Sequence, residues 1–167
     1  MDQLLTDILD LERLDQGLVE PNRAPTDLGE LLRQVLAHSD PMAGRAVEIE
    51  ANGIVADVDA SKVERIVENL LVNAARHTPP GTPIVARACR TGEGVELVIE
   101  DRGPGVPDAI KDSIFEAFRR GDGAGDATSG AGIGLSLVAR FAALHGGRAW
   151  VADRPGGGAS FHVLLPE

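Results

Sequence analysis

Apolar positions along the chain follow two rhythms, and the switches between them mark out its elements. Leu4, Ile8, Leu11 and Leu18 are spaced by four, three and seven, which predicts one helical stripe from Met1 to about Leu18. Gly17, Pro21 and Pro25 end that helix and predict an extended connector. Thr26 or Asp27 can cap the next helix. Asp27 and Glu30 have capping-box spacing, and Leu28, Leu31, Leu32, Val35 and Leu36 form its apolar face up to Pro41. Alternation and β-branched residues then take over, so Val47, Ile49 and the segment Ile54 to Val58 read as short strands. Ser61 with Glu64 repeats the capping-box spacing and opens a long helix with Val63, Val67, Leu70 and Ala74 on its buried side, ended by Thr78-Pro79-Pro80-Gly81. Pro83 to Arg90 and Val95 to Asp101 predict a hairpin around Thr91-Gly92-Glu93-Gly94. An irregular, glycine-rich stretch from Arg102 to Gly134 carries a short helical piece around Ile110. The last helix covers Leu135 to Leu144, and Arg148 to Ala152 with Ala159 to Leu165 close the chain as a hairpin. Grouped helices and antiparallel hairpins, without regular strand–helix alternation, predict an α+β two-layer sandwich with one helical layer.

Composition narrows the function classes. The chain has 167 residues, 43% of them hydrophobic, enough for one well-buried core. With 26 acidic against 16 basic residues and a formal charge of −10, it repels a nucleic-acid backbone, and no basic patch offsets this. The absence of Tyr, with one Trp and four Phe, also removes the stacking platforms of a single-strand binder. Cys89 is the only cysteine, which excludes an internal disulfide and the cysteine-rich zinc spacings, and a reducing cytoplasmic setting is expected. No run approaches the roughly 20 apolar residues that span a bilayer, so no direct membrane contact is expected of this chain, whether or not its parent is anchored.

Four segments carry candidate chemistry. In the helix opened at Ser61, Asn69 and Asn73 sit four apart, which places their amides about 6 Å from each other on one face, with Arg76 and His77 a turn later. An Asn oxygen can ligate Mg²⁺, its amide hydrogens can meet phosphate oxygens, and Arg76 adds charge-assisted bonds. The plainer alternative is a solvated polar helix edge. Asp101-Arg102-Gly103-Pro104-Gly105 follows a strand, where a carboxylate can accept from an exocyclic amine while the glycine backbone passes close to a flat ring; an ordinary turn aspartate is the alternative. Ile114, Phe115 and Phe118, with Arg119 and Arg120, combine an apolar anchor with two cations. Gly130-Ala131-Gly132-Ile133-Gly134-Leu135 then opens onto a helix whose free amides and positive dipole end suit phosphate. It lacks the Lys-Ser/Thr of a P-loop and does not complete GxGxxG. Gly121, Gly123 and Gly125 alternatively make this region a flexible linker, and the two readings combine in a mobile lid from Glu116 to Ala131.

The order Glu68-Asn69-Leu70-Leu71-Val72-Asn73-Ala74, Asp101-Arg102-Gly103-Pro104-Gly105, Ile114-Phe115-Glu116-Ala117-Phe118 and Gly130-Ala131-Gly132-Ile133-Gly134-Leu135 resembles the N, G1, F and G2 boxes of sensor histidine kinases of two-component systems. That resemblance implies the Bergerat fold, a mixed, mainly antiparallel sheet covered on one face by about three helices, with a flexible ATP lid, and ATP and Mg²⁺ as cofactors. By position, Asn73 is then the Mg²⁺ ligand and Asn69 its helper at the metal or phosphates. Arg76 and His77 meet the phosphate and sugar region, and Asp101 reads the adenine amino group beside Gly103 and Gly105. Gly130, Gly132 and Gly134, with Leu135 at the helix start, wrap the phosphates. Arg120 stands at the F-box arginine position. Ser160 stands where the family more often has a Thr that assists the aspartate through water.

The segment from Leu4 to Gly17 similarly resembles the end of the second dimerisation helix of these kinases. The implied domains are a helix remnant at 1–20, a linker at 21–25 and the ATP-binding catalytic domain at 26–167. Among His38, His77, His145 and His162, none has the context of the family's phosphoacceptor motif, so the acceptor and its acidic partner are expected on another segment or protomer. The resemblance thus implies a protein-histidine kinase catalytic fragment whose partners are the dimerisation and phosphoacceptor domain and, through the parent, a response regulator. Where gyrase and mismatch-repair relatives carry a water-activating glutamate, this chain has Asn69, which favours phosphoryl transfer over hydrolysis. An anti-sigma-type serine kinase and a non-catalytic nucleotide-binding module are the alternatives.

Overall fold

The computed structural model describes residues 2–39, 44–117 and 132–167. Helix α1 (Asp2–Asp15) leads into strand β1 (Ala24–Asp27), helix α2 (Leu28–Ala37), and strands β2 (Val47–Glu50) and β3 (Val55–Val58). Helix α3 (Ala60–Arg76), the hairpin β4 (Ile84–Thr91) and β5 (Gly94–Glu100), helix α4 (Gly134–Leu144) and the hairpin β6 (Arg148–Asp153) and β7 (Ala159–Leu165) follow, with two short 3₁₀ turns at Asp108–Ile110 and Ser113–Phe115. The five-stranded sheet has the order β2-β4-β5-β7-β6. Only the β2–β4 pair is parallel.

Strand alternation decides which face the helices cover. Opposite one another on β5 and β7 stand Val95 and Leu165, Leu97 and Val163, and Ile99 and Phe161, all buried. Leu32 of α2, Ile66 and Leu70 of α3, and Leu137 and Phe141 of α4 belong to the same continuous core. The other face carries charge: Arg87 bridges Glu50 and Glu100, Arg154 also reaches Glu100, and His162 pairs with Glu96 and stacks on Trp150. One face has helices because one face is apolar. The expected two-layer α+β sandwich is the observed architecture.

Local chemistry departs from expectation at two places. Asp59, not Ser61, caps α3: its backbone is extended and its carboxylate accepts from the Lys62 N–H, while Ser61 is already helical and donates its hydroxyl to Asp59. A carboxylate also complements the positive helix start better than a hydroxyl does. Asp27 caps α2 by accepting from Glu30 N, as its spacing indicated. The connector after α1 is more than a spacer, because Ala24 to Asp27 pair with β3 as an antiparallel strand. On α1 itself, Leu11 is buried, while Leu4, Leu5, Ile8 and Leu9 are exposed and Leu18 lies beyond the helix end.

A buried polar knot joins the base of α3 to the end of α4. The Asp59 N–H donates to His145 Nε2 (3.1 Å), and Nδ1 lies 2.8 Å from the Phe141 carbonyl, so the ring is neutral with its proton on Nδ1. Asp59 also accepts from Asn22 N, and Arg23 donates to the carbonyls of His145, Asp57 and Pro166. Burial pushes the His145 imidazole below its ordinary titration range, against the opposing pull of the Phe141 carbonyl. The unfolded chain therefore takes up this proton at higher pH than the folded one. Its stabilising contribution is complete above the unfolded value of about 6.5 and declines as pH falls below it. The urea midpoint is expected to drop from pH 7.5 to pH 5.5, and His145→Gln to flatten that slope; an unchanged slope in the variant assigns the effect to other groups.

Candidate functional site

The site grows from the edge of α3. Val63, Ile66, Val67, Leu70, Leu71 and Ala74 turn into the core, which leaves Asn69 and Asn73 half-buried on the flank and Arg76 and His77 exposed at the helix end. Asn69 Nδ2 is buried and has no hydrogen-bond partner among the described residues. An orphaned donor of this kind costs about 1–3 kcal/mol, so its retention at a seam between elements points to a ligand.

Across that seam lies the start of α4. A Cβ at Gly134 would stand 3.7 Å from Asn69 Oδ1, so the first turn of α4 and the Asn69 amide face each other at contact distance. Ile133 occupies the N-cap position, and no side chain among the described residues caps the helix. Free backbone donors and the positive dipole end therefore meet the Asn69 amide, an arrangement that favours an anion. Gly132 turns the chain into this helix, and Leu135 packs against the core.

Asp101 supplies the opposite pole. It is 3% exposed, and its Oδ1 accepts from Gly103 N (2.9 Å) and Ala159 N (3.3 Å), which leaves Oδ2 as the remaining acceptor. Its own N–H donates to Ala159 O at 3.0 Å, extending the β5–β7 pairing by one residue. Gly158 makes this possible, since it has φ +107° and a Cβ there would collide with the Asp101 carbonyl oxygen. Gly103 rests on the end of α3: a Cβ would lie 2.8 Å from His77 O and 3.3 Å from Thr78 Cγ2. Gly105 follows with its backbone facing Gly158.

The structure thus gathers Asn69, Gly134, His77, Asp101, Gly103 and Gly105 around contacting elements, with Asn73 and Arg76 on the same helix edge. Ser160 is not brought to Asp101. It pairs in register with Glu100, and its hydroxyl donates to that carboxylate, on the charged face of the sheet. Ala159 meets the carboxylate through its backbone N–H, and Ser160, the next residue on the strand, turns its side chain to the opposite face. Arg120 and Gly130, with Phe118 and Arg119, lie outside the described residues, as does most of the expected lid. Phe115 is partly buried and packs against the core, set edge-on to Phe161 with ring centres 6.4 Å apart. An open cleft of about 500 Å³ flanks the outer side of the Asp101 loop between Pro104 to Pro107 and Asp153 to Gly158. Of the expected residues only Gly105 lines it, so this cleft is distinct from the Asn69 seam. Sequence reasoning missed Gly158, whose signal was three consecutive glycines immediately before the strand opposite Asp101.

Comparisons place this geometry among known proteins. Residues 58–167 match the family model described as histidine kinase-, DNA gyrase B- and HSP90-like ATPase. The alginate biosynthesis sensor protein KinB of Pseudomonas aeruginosa is 36% identical over 98% of the chain, which spans 28% of that relative. The solved structure of the mycobacterial sensor histidine kinase MprB is 31% identical with a TM-score of 0.74, covering 86% of this chain and 97% of that one. Full-length ShkA, solved in complex with AMPPNP, is 30% identical with a TM-score of 0.81 over 98% of this chain and 35% of that one.

Asn69→Leu, which removes the orphaned amide at similar volume, is expected to stabilise the ligand-free protein by about 1 kcal/mol, roughly 2–4 °C in melting temperature. Scanning calorimetry checks this; a lower melting temperature would mean that the amide already has a partner.

Proposed function

Because the chain belongs to the histidine kinase-, DNA gyrase B- and HSP90-like ATPase family, we propose that it acts as the ATP-binding catalytic domain of a sensor histidine kinase, presenting the γ-phosphate of Mg·ATP to an acceptor histidine on another segment or protomer. The observation that carries this reading is Asn69, whose buried Nδ2 has no partner among the described residues and whose side chain packs against the start of α4. The partners are then the dimerisation and phosphoacceptor domain of the same kinase and, through it, a response regulator in the cytosol. No described helix is long and apolar enough to cross a membrane. The catalytic domain is assigned to 26–167, with 21–25 as connector and 1–20 as the end of a dimerisation helix.

Donor chemistry supports a magnesium ion shared with phosphate. Among the described residues no group of three or more His, Cys, Asp or Glu could hold a metal alone. Mg²⁺ characteristically takes few protein oxygens and completes its shell with phosphates and water. Asn73 would hold it, with Asn69 at the metal or phosphates, and its chemistry there is neutralisation of phosphate charge. Arg76 and His77 would meet the phosphate and sugar region, and Asp101 Oδ2 would accept from the adenine amine. Gly103 and Gly105 keep the backbone low beneath the ring. The amides of Gly132, Gly134 and Leu135 would face phosphate oxygens, joined by Gly130 and Arg120. Ser160 is left out of this set because its hydroxyl is engaged by Glu100.

Phosphoryl transfer asks mainly for positioning and charge stabilisation, which backbone amides and asparagines provide without a base. An amide at position 69 cannot activate water. His145 makes a poor acceptor, since it is buried with both ring nitrogens engaged. The serine-kinase alternative is not favoured, since the relatives named above are sensor proteins and sensor histidine kinases.

Titration calorimetry is expected to show Mg-dependent ATP binding near one site per chain. Asp101→Asn should weaken it by about 10- to 100-fold, the worth of a hydrogen bond to a charged group. Unchanged affinity in a folded variant removes Asp101 from the site. Mixed with a separately folded phosphoacceptor domain, the chain is expected to transfer labelled γ-phosphate to it. Binding without transfer to any such domain would favour a non-catalytic nucleotide module.

A further inference from the structure

Arg45 stands ahead of β2, outside residues 58–167 that match the family model and outside every segment assigned to the site. Its guanidinium nevertheless grips the end of α3. One nitrogen donates to Thr78 Oγ1 (2.7 Å) and to the Thr82 carbonyl (3.2 Å), and the other donates to the carbonyls of Ala75 and Thr78, both at 3.1 Å. Thr78 passes the link back into the helix by donating its hydroxyl to Ala74 O at 2.7 Å. The last carbonyls of a helix lack intrahelical partners, and a cation there also complements the negative end of the dipole. A planar fork meets several carbonyls at once in a way that a point-charge ammonium cannot.

The gripped corner is the surface on which the Asp101 loop sits. Gly103 packs against His77 O and Thr78 Cγ2, and Thr78 itself is only 7% exposed. On the other side of the corner, the last turns of α3 carry Asn73, Arg76 and His77. Two halves of the site, the polar helix edge and the carboxylate loop, therefore meet at residues 77 and 78, and Arg45 ties that junction to the chain entering β2.

We propose that Arg45 is a positioning residue for the nucleotide site, holding the corner from Ala75 to Thr82 so that the edge of α3 and the loop from Asp101 to Gly105 keep their mutual setting. It acts through Thr78 and the helix-end carbonyls and touches none of the groups assigned to the nucleotide. The inference rests on the nucleotide-binding reading above.

Calorimetric titration with Mg·ATP separates affinity from the fraction of competent protein. In Arg45→Met the Kd is expected to rise about tenfold, with stoichiometry kept near that of the unaltered chain and circular dichroism showing the folded state at the titration temperature. Arg45→Lys is expected to recover part of the loss. An unchanged Kd in Arg45→Met, or a loss confined to stoichiometry, overturns the proposal, because a residue that only supports folding lowers the folded fraction and leaves the affinity of the remainder intact. Should Arg45→Met fail to fold, Thr78→Val decides: it keeps the side-chain shape and removes the hydroxyl link, so the expected result is a rise of about threefold, and no change overturns the proposal. Absence of Mg·ATP binding by the unaltered chain instead defeats the nucleotide-site reading from which this inference starts.

Discussion

Antiparallel pairing of β5 with β7 sets Leu97 opposite Val163 and Ile99 opposite Phe161, and the helical layer packs on that apolar strip. The same register continues one residue past β5, where Asp101 donates to Ala159 O and accepts from Ala159 N. A carboxylate is thereby held at the end of the central strand with one oxygen committed to backbone and the other available. Because the side-chain period of a strand is two, a slip of one residue would exchange Asp101 with Glu100 and bury the wrong acid. The core and the candidate site thus share one constraint. Gly158 is where they touch, since the close approach at Asp101 leaves no room for a side chain there.

Around that fixed carboxylate the helices do opposite work on their two sides. The buried side of α3 stabilises the sandwich, and its flank presents one amide nitrogen, Asn69 Nδ2, that nothing in the described chain satisfies. Leaving Asn69 Nδ2 buried and unpaired destabilises the ligand-free protein, as does an α4 start with no side-chain cap among the described residues. Both costs sit where the Asn69 side chain packs against the first turn of α4. Sites that await an anion show this trade, with stability withheld locally and recovered on binding. Elsewhere the molecule is careful: the knot of Asp59, His145, Asn22 and Arg23 satisfies its members through named partners.

The charged face of the sheet has its own role in holding the site. Glu100 precedes Asp101 and is bridged by Arg87 and Arg154, while Arg154 also donates to the Pro155 and Gly157 carbonyls of the β6–β7 turn. That turn ends at Gly158, directly beneath Asp101. These ion pairs are half-buried at the edge of the sheet face. Here their effect is local, steadying a turn that faces the carboxylate loop from the side opposite Arg45.

Much of this was legible from residue order. Periodicity located the helices and hairpins to within a few residues, because burial on one face leaves a period of 3.6 or 2 in any helix or strand that packs. Four short motifs in one order pointed to the family, because amides, a strand-end carboxylate and glycines before a helix are residue types with local geometric consequences. The cap of α3 was not legible: residue spacing placed it at Ser61, and the extended backbone at Asp59 puts it two residues earlier. Nor was the facing of Ser160, which depends on register with Glu100 across the sheet rather than on its neighbours in sequence. The unpaired state of Asn69, the seat of Gly103 on His77 and the reach of Arg45 to Thr78 join residues 26 to 65 positions apart. Local sequence carries propensity and period, but whether a polar atom finds a partner depends on what the folded chain brings beside it, and that was decided by tertiary packing alone.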